Sequence, residues 1–496
     1  MLTRRVFVAG TAALAALPKR VNAAKGPAAE AADVIILGAG LSGLYAALTL
    51  RDNGLRVLVL DAADQPGGRV KTVHTADGPI DVGASQVGRS YARVIDACRA
   101  FGLKLVPEDR DLLPFGAHYM DSWIDPKTWA SNPLNECVGD ERAIPPMLMG
   151  QAVAAKYNPL KALDDWLDPK FGDFDISLRQ LMRAKGYSEQ AIRLAALSAP
   201  GIGIDETSLL RMWQEDTRQA LDKAFAGSAP AEGHRDHPFG EGNSRQMVNG
   251  LAQISNIEGG CQRLPLAMAD KLGDVVRLKK KVARVEMTDS AATVTCADGS
   301  RYQARFVISA LPFSMLRDVV IDAAPNPVMR DAIGHMPYAN TARLYLTVER
   351  PFWQADGLPA SFSTDGPMGM FWAIDNHTGT GPHRAMIVMV GNVAQKVSRM
   401  DAVTAQAFLV AEVERLRPAA KGLLKIATYK DWLADPLQRG CGFSLAPGQV
   451  NAFARKMVDP WQVMHFAGEH TRRMDFGMES ALESGERAAV EVLARA

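Results

Sequence analysis

One stretch near the N-terminus, residues 33–61, constrains the fold more than any other part of the chain. It reads DVIILGAGLSGLYAALTLRDNGLRVLVLD, in which two short apolar runs flank a glycine-rich turn and a helix-forming segment. Apolar runs of this length are typical of parallel strands that are buried on both faces. The stretch therefore predicts the first strand–helix–strand unit of a Rossmann-like α/β domain.

The turn carries glycines in the spacing G-x-G-x-x-G at Gly38, Gly40 and Gly43. The first permits a tight turn, the second lets the backbone approach a pyrophosphate, and the third lets the helix pack close to the strand. N–H groups at the start of the helix suit phosphate, and Asp61, at the end of the second strand, is placed for a ribose hydroxyl. The motif predicts a dinucleotide site and leaves FAD and NAD open.

The first 24 residues differ in composition from the rest of the chain. A basic start is followed by an apolar stretch at residues 6–17 and then by small residues, which is the pattern of an export signal. Arg4-Arg5 within TRRVF resembles the twin-arginine signal of folded, cofactor-loaded proteins. We therefore expect a periplasmic protein. An uncleaved anchor helix is the alternative, and a non-functional signal would leave the protein in the cytoplasm.

Composition argues against several other function classes. The chain has 496 residues, enough for two or three domains, and its formal net charge of +1 gives no electrostatic case for nucleic-acid binding. No internal apolar run reaches the length of a membrane span. The five cysteines form no C-x-x-C motif, and His234 and His237 have no third ligand, so we expect no metal site.

Further motifs give the sequence a specific resemblance. Gly67-Gly68-Arg69 follows the second apolar run, residues 81–85 read DVGAS, and residues 465–469 read HFAGE before a glycine-bearing turn and a final helix. In this order they resemble the flavin-containing amine oxidase family, which includes monoamine, polyamine and L-amino acid oxidases. Weaker matches are GGCQRLP at 259–265, Lys281-Val282, and SALP at 309–312.

The resemblance implies that the cofactor is FAD, held without a covalent bond. Cys441 falls near the cysteine that monoamine oxidases link to the flavin, so a covalent bond is the alternative. The residues predicted to bind FAD are Gly38, Gly40, Leu41, Ser42, Gly43, Asp61, Ala62, Gly68, Arg69, Val70, Gly83, Ala84, Ser85, Val282, Gly468, Glu469 and Met478.

The resemblance also implies two domains that are interleaved in the sequence. A Rossmann-like FAD-binding domain is expected from residues 33–95, 245–325 and 430–496. A mixed α+β substrate domain is expected from residues 96–244 and 326–429, with helices in its first part and strands in its second.

Two residues are candidates for the catalytic machinery. Arg343 falls where many family members carry a lysine near flavin N5, and Trp432 resembles a family tryptophan that precedes the flavin-facing loop. Arginine keeps the positive charge of lysine but does not deprotonate. Arg343 is therefore either a donor beside the flavin, an anchor for a substrate carboxylate or carbonyl, or a solvent-facing arginine at the edge of a strand.

The substrate pocket should differ from that of monoamine oxidases. Their two substrate-flanking tyrosines fall on Gly442 and Gly477, so both rings are expected to be absent and the space to be larger. A shift of one residue in the alignment would place Phe443 and Phe476 there instead. The residues assigned to the pocket are Trp213, Trp372, Gly442, Phe476 and Gly477, with the core as the alternative place for the tryptophans.

The resemblance predicts FAD-dependent oxidation of a bulky or ring-bearing amine, in which hydride moves to flavin N5 and oxygen is reduced to hydrogen peroxide. The expected partners are a small-molecule amine and either oxygen or an electron-carrier protein, and a homodimer is left open. The alternatives are an amine dehydrogenase that uses a carrier protein, an L-amino acid oxidase that uses Arg343, and a flavin-binding protein without activity. An NAD-dependent dehydrogenase is disfavoured by the flavin-type C-terminal segment.

Overall fold

A computed structural model describes residues 30–107, 115–198, 202–228, 247–248, 251–252, 254–374 and 382–496. The predicted export signal and the two histidines at 234 and 237 lie outside these residues. Within the described ranges, no helix is both long enough and apolar enough to cross a membrane. The five thiols, all of them in described parts of the chain, are free.

A five-stranded parallel sheet, here called the cofactor sheet, holds the predicted strand–helix–strand unit at its centre. Its strands, in spatial order, are Val276–Arg277, Val57–Leu60, Val34–Leu37, Phe306–Ser309 and Met464–Phe466. Every residue of the four strands other than the edge strand Val276–Arg277 is buried, as the apolar runs predict for a sheet covered on both faces. The carboxyl ends of these parallel strands meet at one edge of the sheet.

Two helices pack together next to this sheet. Leu41–Asp52 follows the glycine turn, and Gly477–Leu493 is the last helix of the chain. Gly485 allows the close approach, because a Cβ atom there would lie 2.4 Å from the carbonyl oxygen of Ser42. The first residues of both helices, Leu41 and Gly477, line one cavity together with the glycine turn.

A seven-stranded sheet, here called the upper sheet, is the second large element. Its strands, in spatial order, are Leu424–Asp431, Thr341–Val348, His383–Val390, Met370–Ile374, Ser361–Thr364, Phe115–Tyr119 and Ser122–Ile124. All of its pairings are antiparallel except that of Ser361–Thr364 with Phe115–Tyr119. One face of this sheet packs with the helix Ala402–Leu416 on a separate apolar core, here called the second core.

The remaining strands form smaller sheets. Five strands form one of these sheets: Glu30–Ala31, Arg301–Ala304, Ala292–Cys296, Val282–Met287 and Val320–Asp322. Three more pair as Val87–Gly88, Ile254–Ile257 and Leu105–Pro107. The two-stranded pairs are Thr72–Thr75 with Gly78–Asp81 and Met247–Val248 with Leu251–Ala252.

The other α-helices connect and cover these sheets. They are Ala92–Ala100, Met149–Lys156, Leu178–Ala184, Glu189–Ser198, Leu209–Ser228, Arg263–Leu272, Phe313–Leu316, Pro327–His335, Phe352–Asp356 and Gly391–Val397. The predicted α/β class with a Rossmann-like unit is confirmed. The division of the sequence into two interleaved domains stays a prediction, and the segments that form the cofactor sheet and the upper sheet agree with it.

Candidate active site

The glycine turn lies at the carboxyl edge of the cofactor sheet. The backbone of Gly38 has φ +105° and donates to the carbonyl oxygen of Leu60 at 2.8 Å, so the turn requires glycine there. At Gly43 a Cβ atom would lie 2.0 Å from the carbonyl oxygen of Gly38. At Gly40 a Cβ atom would meet nothing within 4 Å, so this face of the turn is open to a ligand.

Asp61 closes the second strand beside this turn. Its carboxylate accepts from the backbone N–H of Ala39 at 2.6 Å and of Ala63 at 2.7 Å. Burial raises the pKa of the carboxyl, although the two hydrogen bonds oppose that shift. The two N–H groups fix the carboxylate at the mouth of the turn, where a ribose hydroxyl would reach it.

A cavity of about 390 Å³ extends from the turn toward the upper sheet, and it is called the cofactor cavity below. Most of the residues predicted to bind the cofactor line it. These residues are Gly38, Gly40, Leu41, Ser42, Asp61, Ala62, Gly68, Arg69, Val70, Gly83, Ala84, Val282, Gly468, Glu469 and Met478. The open face at Gly40, the helix start at Leu41 and the carboxylate of Asp61 fit the phosphates and ribose of a dinucleotide.

Glycine and small side chains form the far end of the cofactor cavity. Cys441, Gly442 and Gly477 line it there, together with Arg343 from the upper sheet. A Cβ atom at Gly442 would meet nothing within 4 Å, whereas one at Gly477 would lie 2.9 Å from the hydroxyl of Tyr91. Among the described residues that line this cavity, none is Phe, Tyr or Trp.

The two phenylalanines that a shifted alignment would place in the pocket lie elsewhere. The ring of Phe443 is buried, and the guanidinium groups of Arg211 and Arg472 lie 4.8 and 4.9 Å from its centre. The ring of Phe476 packs edge-on against Tyr91, with 5.8 Å between the ring centres. Neither ring lines the cofactor cavity, so the position of this wall is consistent with the unshifted alignment.

A chain of charged groups supports this wall from behind. Arg69 donates to the carbonyl oxygen of Cys441 at 2.5 Å and lies 3.4 Å from Glu469. Glu469 is also 3.5 Å from Arg472, which in turn pairs with Glu215 at 3.1 Å. These contacts connect the loop at Cys441 to the helix Leu209–Ser228 through buried or half-buried charges.

Glu215 is the acid at the end of that chain that is far from Cys441. Burial raises its pKa, but the positive charges of Arg211 and Arg472 outweigh burial and lower the pKa to about 2. Arg211 lies 3.1 Å from the same carboxylate oxygen as Arg472. Glu215 therefore stays ionised and holds together two guanidinium groups that would otherwise repel each other.

A second cavity, of about 240 Å³, adjoins the first and is called the outer cavity below. Arg343 lines both cavities, and Ser85 of the outer cavity follows Ala84 of the cofactor cavity in sequence. Tyr345, Trp372 and other side chains of the upper sheet form one side of it. A space lined by side chains therefore adjoins the cofactor cavity at Arg343.

Several predicted residues lie away from the positions that the sequence suggested. Trp432 lines neither cavity: its indole donates to the carbonyl oxygen of Val82 at 3.0 Å, behind Gly83. Gly83 lies between Trp432 and the cofactor cavity. Trp213 is fully buried and donates to the carbonyl oxygen of Ala154, so it belongs to the core.

Four other predicted residues also lie outside the cofactor cavity. Gly43 packs under the turn and does not line the cofactor cavity, and Ser85 lines the outer cavity instead. Phe476 lines neither cavity, because it packs on Tyr91 at the start of the last helix. Trp372 lines the outer cavity, which does not itself touch the glycine turn.

The structure also adds residues that were not assigned to the site. Gln262 lines the cofactor cavity and fixes the loop around Gly67, since it accepts from the N–H of Thr72 and donates to the carbonyl oxygen of Pro66. Met315 and Gln438 line the same cavity without any sequence signal. Tyr345 and Met386 line the outer cavity, and the alternation of side chains along their strands would have identified them.

Comparison with known sequences identifies relatives along nearly the whole chain. The family model described as flavin containing amine oxidoreductase matches residues 41–493. The flavin-containing amine oxidase B of Bos taurus is 26% identical over 480 residues, which cover 93% of this chain and 86% of that protein. The same enzyme of Homo sapiens is 26% identical over 479 residues, with the same coverage.

Solved structures share the fold. A putrescine oxidase bound to putrescine matches with a TM-score of 0.70 and 21% identity, covering 94% of this chain and 100% of that one. The cyclohexylamine oxidase of Brevibacterium oxydans matches with a TM-score of 0.71 and 20% identity, covering 94% of this chain and 99% of that one. At this level of identity the two structures support the architecture alone.

Proposed function

The chain belongs to the flavin containing amine oxidoreductase family, and we propose that it oxidises a bulky or ring-bearing amine with oxygen as the electron acceptor. It is a flavoenzyme that acts on amines, and the cofactor cavity fits FAD. The overall reaction converts the amine, oxygen and water into a carbonyl compound, a released amine or ammonia, and hydrogen peroxide. When bound, FAD supplies the acceptor for the hydride on the carbon next to nitrogen.

The part of the cofactor cavity that is lined by Gly442 and Gly477, here called the glycine wall, is the observation that carries the substrate proposal. Gly442 and Gly477 line the end of the cofactor cavity that faces the upper sheet, without an aromatic ring among the described lining residues. Two aromatic rings at these positions would narrow the cavity, whereas a Cβ atom at Gly442 would meet nothing within 4 Å. The outer cavity continues that space beyond Arg343.

The chain's own residues have two tasks in this proposal. The wall and Arg343 hold the amine with its reactive C–H bond toward the cofactor, which is a positioning task. The positive charge of Arg343 also disfavours an ammonium group nearby, and so keeps the bound amine neutral and ready to lose hydride. Trp432 acts indirectly, because it holds Gly83 in the cavity wall.

A second candidate function rests on the same arginine. The guanidinium of Arg343, which lies 3.5 Å from the hydroxyl of Tyr345, lines both cavities and suits a carboxylate. This placement supports oxidation of an amino acid. The two functions differ in whether the substrate must carry a carboxylate next to the amine-bearing carbon.

An anaerobic titration of the purified holoenzyme tests both functions. The absorption band of the flavin is followed while small alkylamines, polyamines, amino acids and ring-bearing amines are added one at a time. We expect ring-bearing amines to bleach the band and air to restore it with one hydrogen peroxide per amine. Bleaching by amino acids alone would favour the second function, and a band that air does not restore would indicate a dehydrogenase.

A further inference from the structure

The outer cavity lies between one face of the upper sheet and the hairpin of Thr72–Thr75 and Gly78–Asp81. Side chains alternate along the strand Thr341–Val348. Ala342, Leu344, Leu346 and Val348 belong to the second apolar core. Arg343, Tyr345 and Thr347 therefore point to the other face, where all three line the outer cavity.

The strand register arranges the cavity side of the sheet in rows. Tyr345 pairs with Met386, and Met386 pairs with Trp372, so these three side chains lie side by side across three strands. All three line the outer cavity. The row is an apolar, partly aromatic surface of about 10 Å, since adjacent strands are about 4.8 Å apart. Tyr345 and Met386 also pack with Ile80 and Val82.

The hairpin closes the end of the cavity that is far from the cofactor. The carboxylate of Asp77 accepts from the hydroxyl of Thr347 at 2.8 Å, and its carbonyl oxygen accepts from Arg384. The hydroxyl of Tyr345 donates to the carbonyl oxygen of Asp81 at 2.9 Å. The polar groups at this end are thus occupied by the hairpin, and Arg343 marks the opposite end, four residues or roughly 13 Å away.

Trp372 differs from these polar neighbours. Its indole Nε1 is buried and donates to no acceptor within the described part of the chain, although the side chain lines the outer cavity. A buried donor without an acceptor costs free energy, which a ligand acceptor would recover. A ligand that combines a ring with an acceptor atom would match both the apolar row and this donor.

We propose that the outer cavity binds the body of the amine substrate, and that Trp372 selects ring-bearing amines whose ring carries a hydrogen-bond acceptor. This inference rests on the proposed function and adds the substrate class. The ring lies over Tyr345 and Met386, the amine reaches past Arg343 to the glycine wall, and Nε1 of Trp372 donates to an ether or carbonyl oxygen on the ring.

Matched pairs of amines test the inference on the FAD-loaded enzyme. Each pair has a phenyl ring with a para substituent that is either methoxy, an acceptor, or ethyl, which has a similar size and no acceptor. One to four methylene groups join the ring to the nitrogen. For at least one linker length, we expect the anaerobic bleaching rate per molar amine to favour methoxy by about tenfold, the value of one recovered hydrogen bond.

Two variants test whether the methoxy preference depends on Trp372. Trp372→Phe keeps the aromatic surface and removes the donor, so the methoxy preference should fall to about one while the ethyl amine reacts as in the wild type. Trp353→Phe is the matched control, because Trp353 packs against the second core and lines neither cavity. This control should keep the wild-type preference.

A binding measurement gives a readout without turnover. Pairs with two methyl groups on the carbon next to nitrogen carry no transferable hydride, so calorimetric titration measures their affinity alone. The methoxy member should bind about tenfold more tightly to the wild type and equally to Trp372→Phe.

The outcomes separate this inference from the proposed function. If amines bleach the flavin but no linker length gives a methoxy preference, or if Trp372→Phe keeps the preference, the selection by Trp372 is wrong and amine oxidation stands. If no amine of any class bleaches the flavin, the proposed function fails and the inference fails with it.

Discussion

The cofactor cavity and the outer cavity adjoin each other, yet they are built from different parts of the polypeptide. Backbone groups and glycines form most of the cofactor cavity, as at Gly40 and Gly442. Side chains from three neighbouring strands form the floor of the outer cavity, as at Tyr345 and Trp372. A backbone-lined site tolerates few substitutions, whereas a site lined by side chains changes its ligand when one residue changes.

The largest expected effect tests the backbone side of this comparison. Gly43→Ala would place a Cβ atom 2.0 Å from the carbonyl oxygen of Gly38, and a backbone atom cannot move aside easily. We expect the free energy of unfolding to fall by more than about 3 kcal/mol, with loss of bound FAD. Chemical denaturation and the flavin content of the purified protein measure both effects.

Gly40→Val is the matched control for that substitution. Its Cβ atom meets nothing within 4 Å, so the FAD-free protein should unfold within about 1 kcal/mol of the wild type. The side chain would occupy the open face of the turn, and FAD affinity should fall by about 100-fold or more. Full flavin occupancy in this variant would show that the dinucleotide does not bind at the turn.

The second prediction asks whether charges behind the glycine wall hold it in place. Glu215→Gln would leave Arg472, whose side chain is 1% exposed, without its closest carboxylate. Because the side chain of Glu215 is itself 33% exposed, water reduces the effect, and we expect a loss of about 2 kcal/mol at pH 7. Chemical denaturation at a series of pH values measures it.

The stabilisation by Glu215 should decrease as the pH falls. The pKa of Glu215 is lowered to about 2 in the folded protein, so its stabilisation is complete above the ordinary pKa of a glutamate and is lost as the pH falls toward 2. The difference between wild type and Glu215→Gln should shrink over that window. A difference that stays constant from pH 7 to pH 3 would contradict the assignment.

Asp216, the next residue, supplies a control of opposite sign. Burial, and then the charge of Glu215, raise the pKa of its carboxyl to about 6. Stability from the protonated acid is therefore lost as the pH rises through about 6. Asp216→Asn should raise the free energy of unfolding at pH 8 by about 1–2 kcal/mol and have little effect at pH 4.

The third prediction concerns Arg343, which belongs to both cavities. Arg343→Met removes the charge that disfavours an ammonium group, so the bound amine should have a higher pKa. We expect anaerobic flavin reduction to slow about tenfold at pH 7, and the rising limb of its pH profile to move up by about one pH unit. Stopped-flow measurements from pH 6 to pH 10 follow this limb.

Arg343→Lys separates charge from shape at the same position. Lysine keeps the positive charge, so the limb of the pH profile should stay where it is in the wild type even if the rate changes. A limb that moves equally in the lysine and methionine variants would mean that the charge of Arg343 does not act on the amine.

The smallest expected effect concerns the bond between protein and flavin. Cys441 lines the cofactor cavity and is followed by Gly442, where the resemblance to monoamine oxidases implies a tyrosine in those enzymes. We expect acid precipitation of the wild type to release all FAD into the supernatant, and Cys441→Ser to bind FAD as the wild type does. Flavin that stays with the wild-type polypeptide but leaves the serine variant would demonstrate a covalent thioether.

The difference between a cavity lined by backbone and one lined by side chains also decides which parts of the site could be predicted from the sequence. The turn at Gly38 and the acid at Asp61 depend on spacing within one strand–helix–strand unit, so local sequence was enough to place them. The glycines at 442 and 477 depended on a resemblance over the whole chain, and the structure brings both to the cofactor cavity. Their roles toward FAD and substrate stay predictions.

Side chains that depend on distant packing were harder to place. Trp213 and Phe476 are large apolar residues with the composition of a pocket, but long-range contacts direct one to Ala154 and the other to Tyr91. The row of Tyr345, Met386 and Trp372 depends on the register of three strands that are far apart in sequence. No local pattern contains that register, and the row became visible only in the folded chain.

The alternation along Thr341–Val348 also has an evolutionary consequence. One set of residues, including Leu344, maintains the second core, and the interleaved set that includes Tyr345 contacts the ligand space. Mutations in the ligand-facing set leave the second core intact, but Tyr345 is itself buried against Ile80 and Val82 and donates to the carbonyl oxygen of Asp81. Under the proposed substrate site, single changes at position 372 should alter the amine preference, and a laboratory library confined to that position should give mostly folded variants.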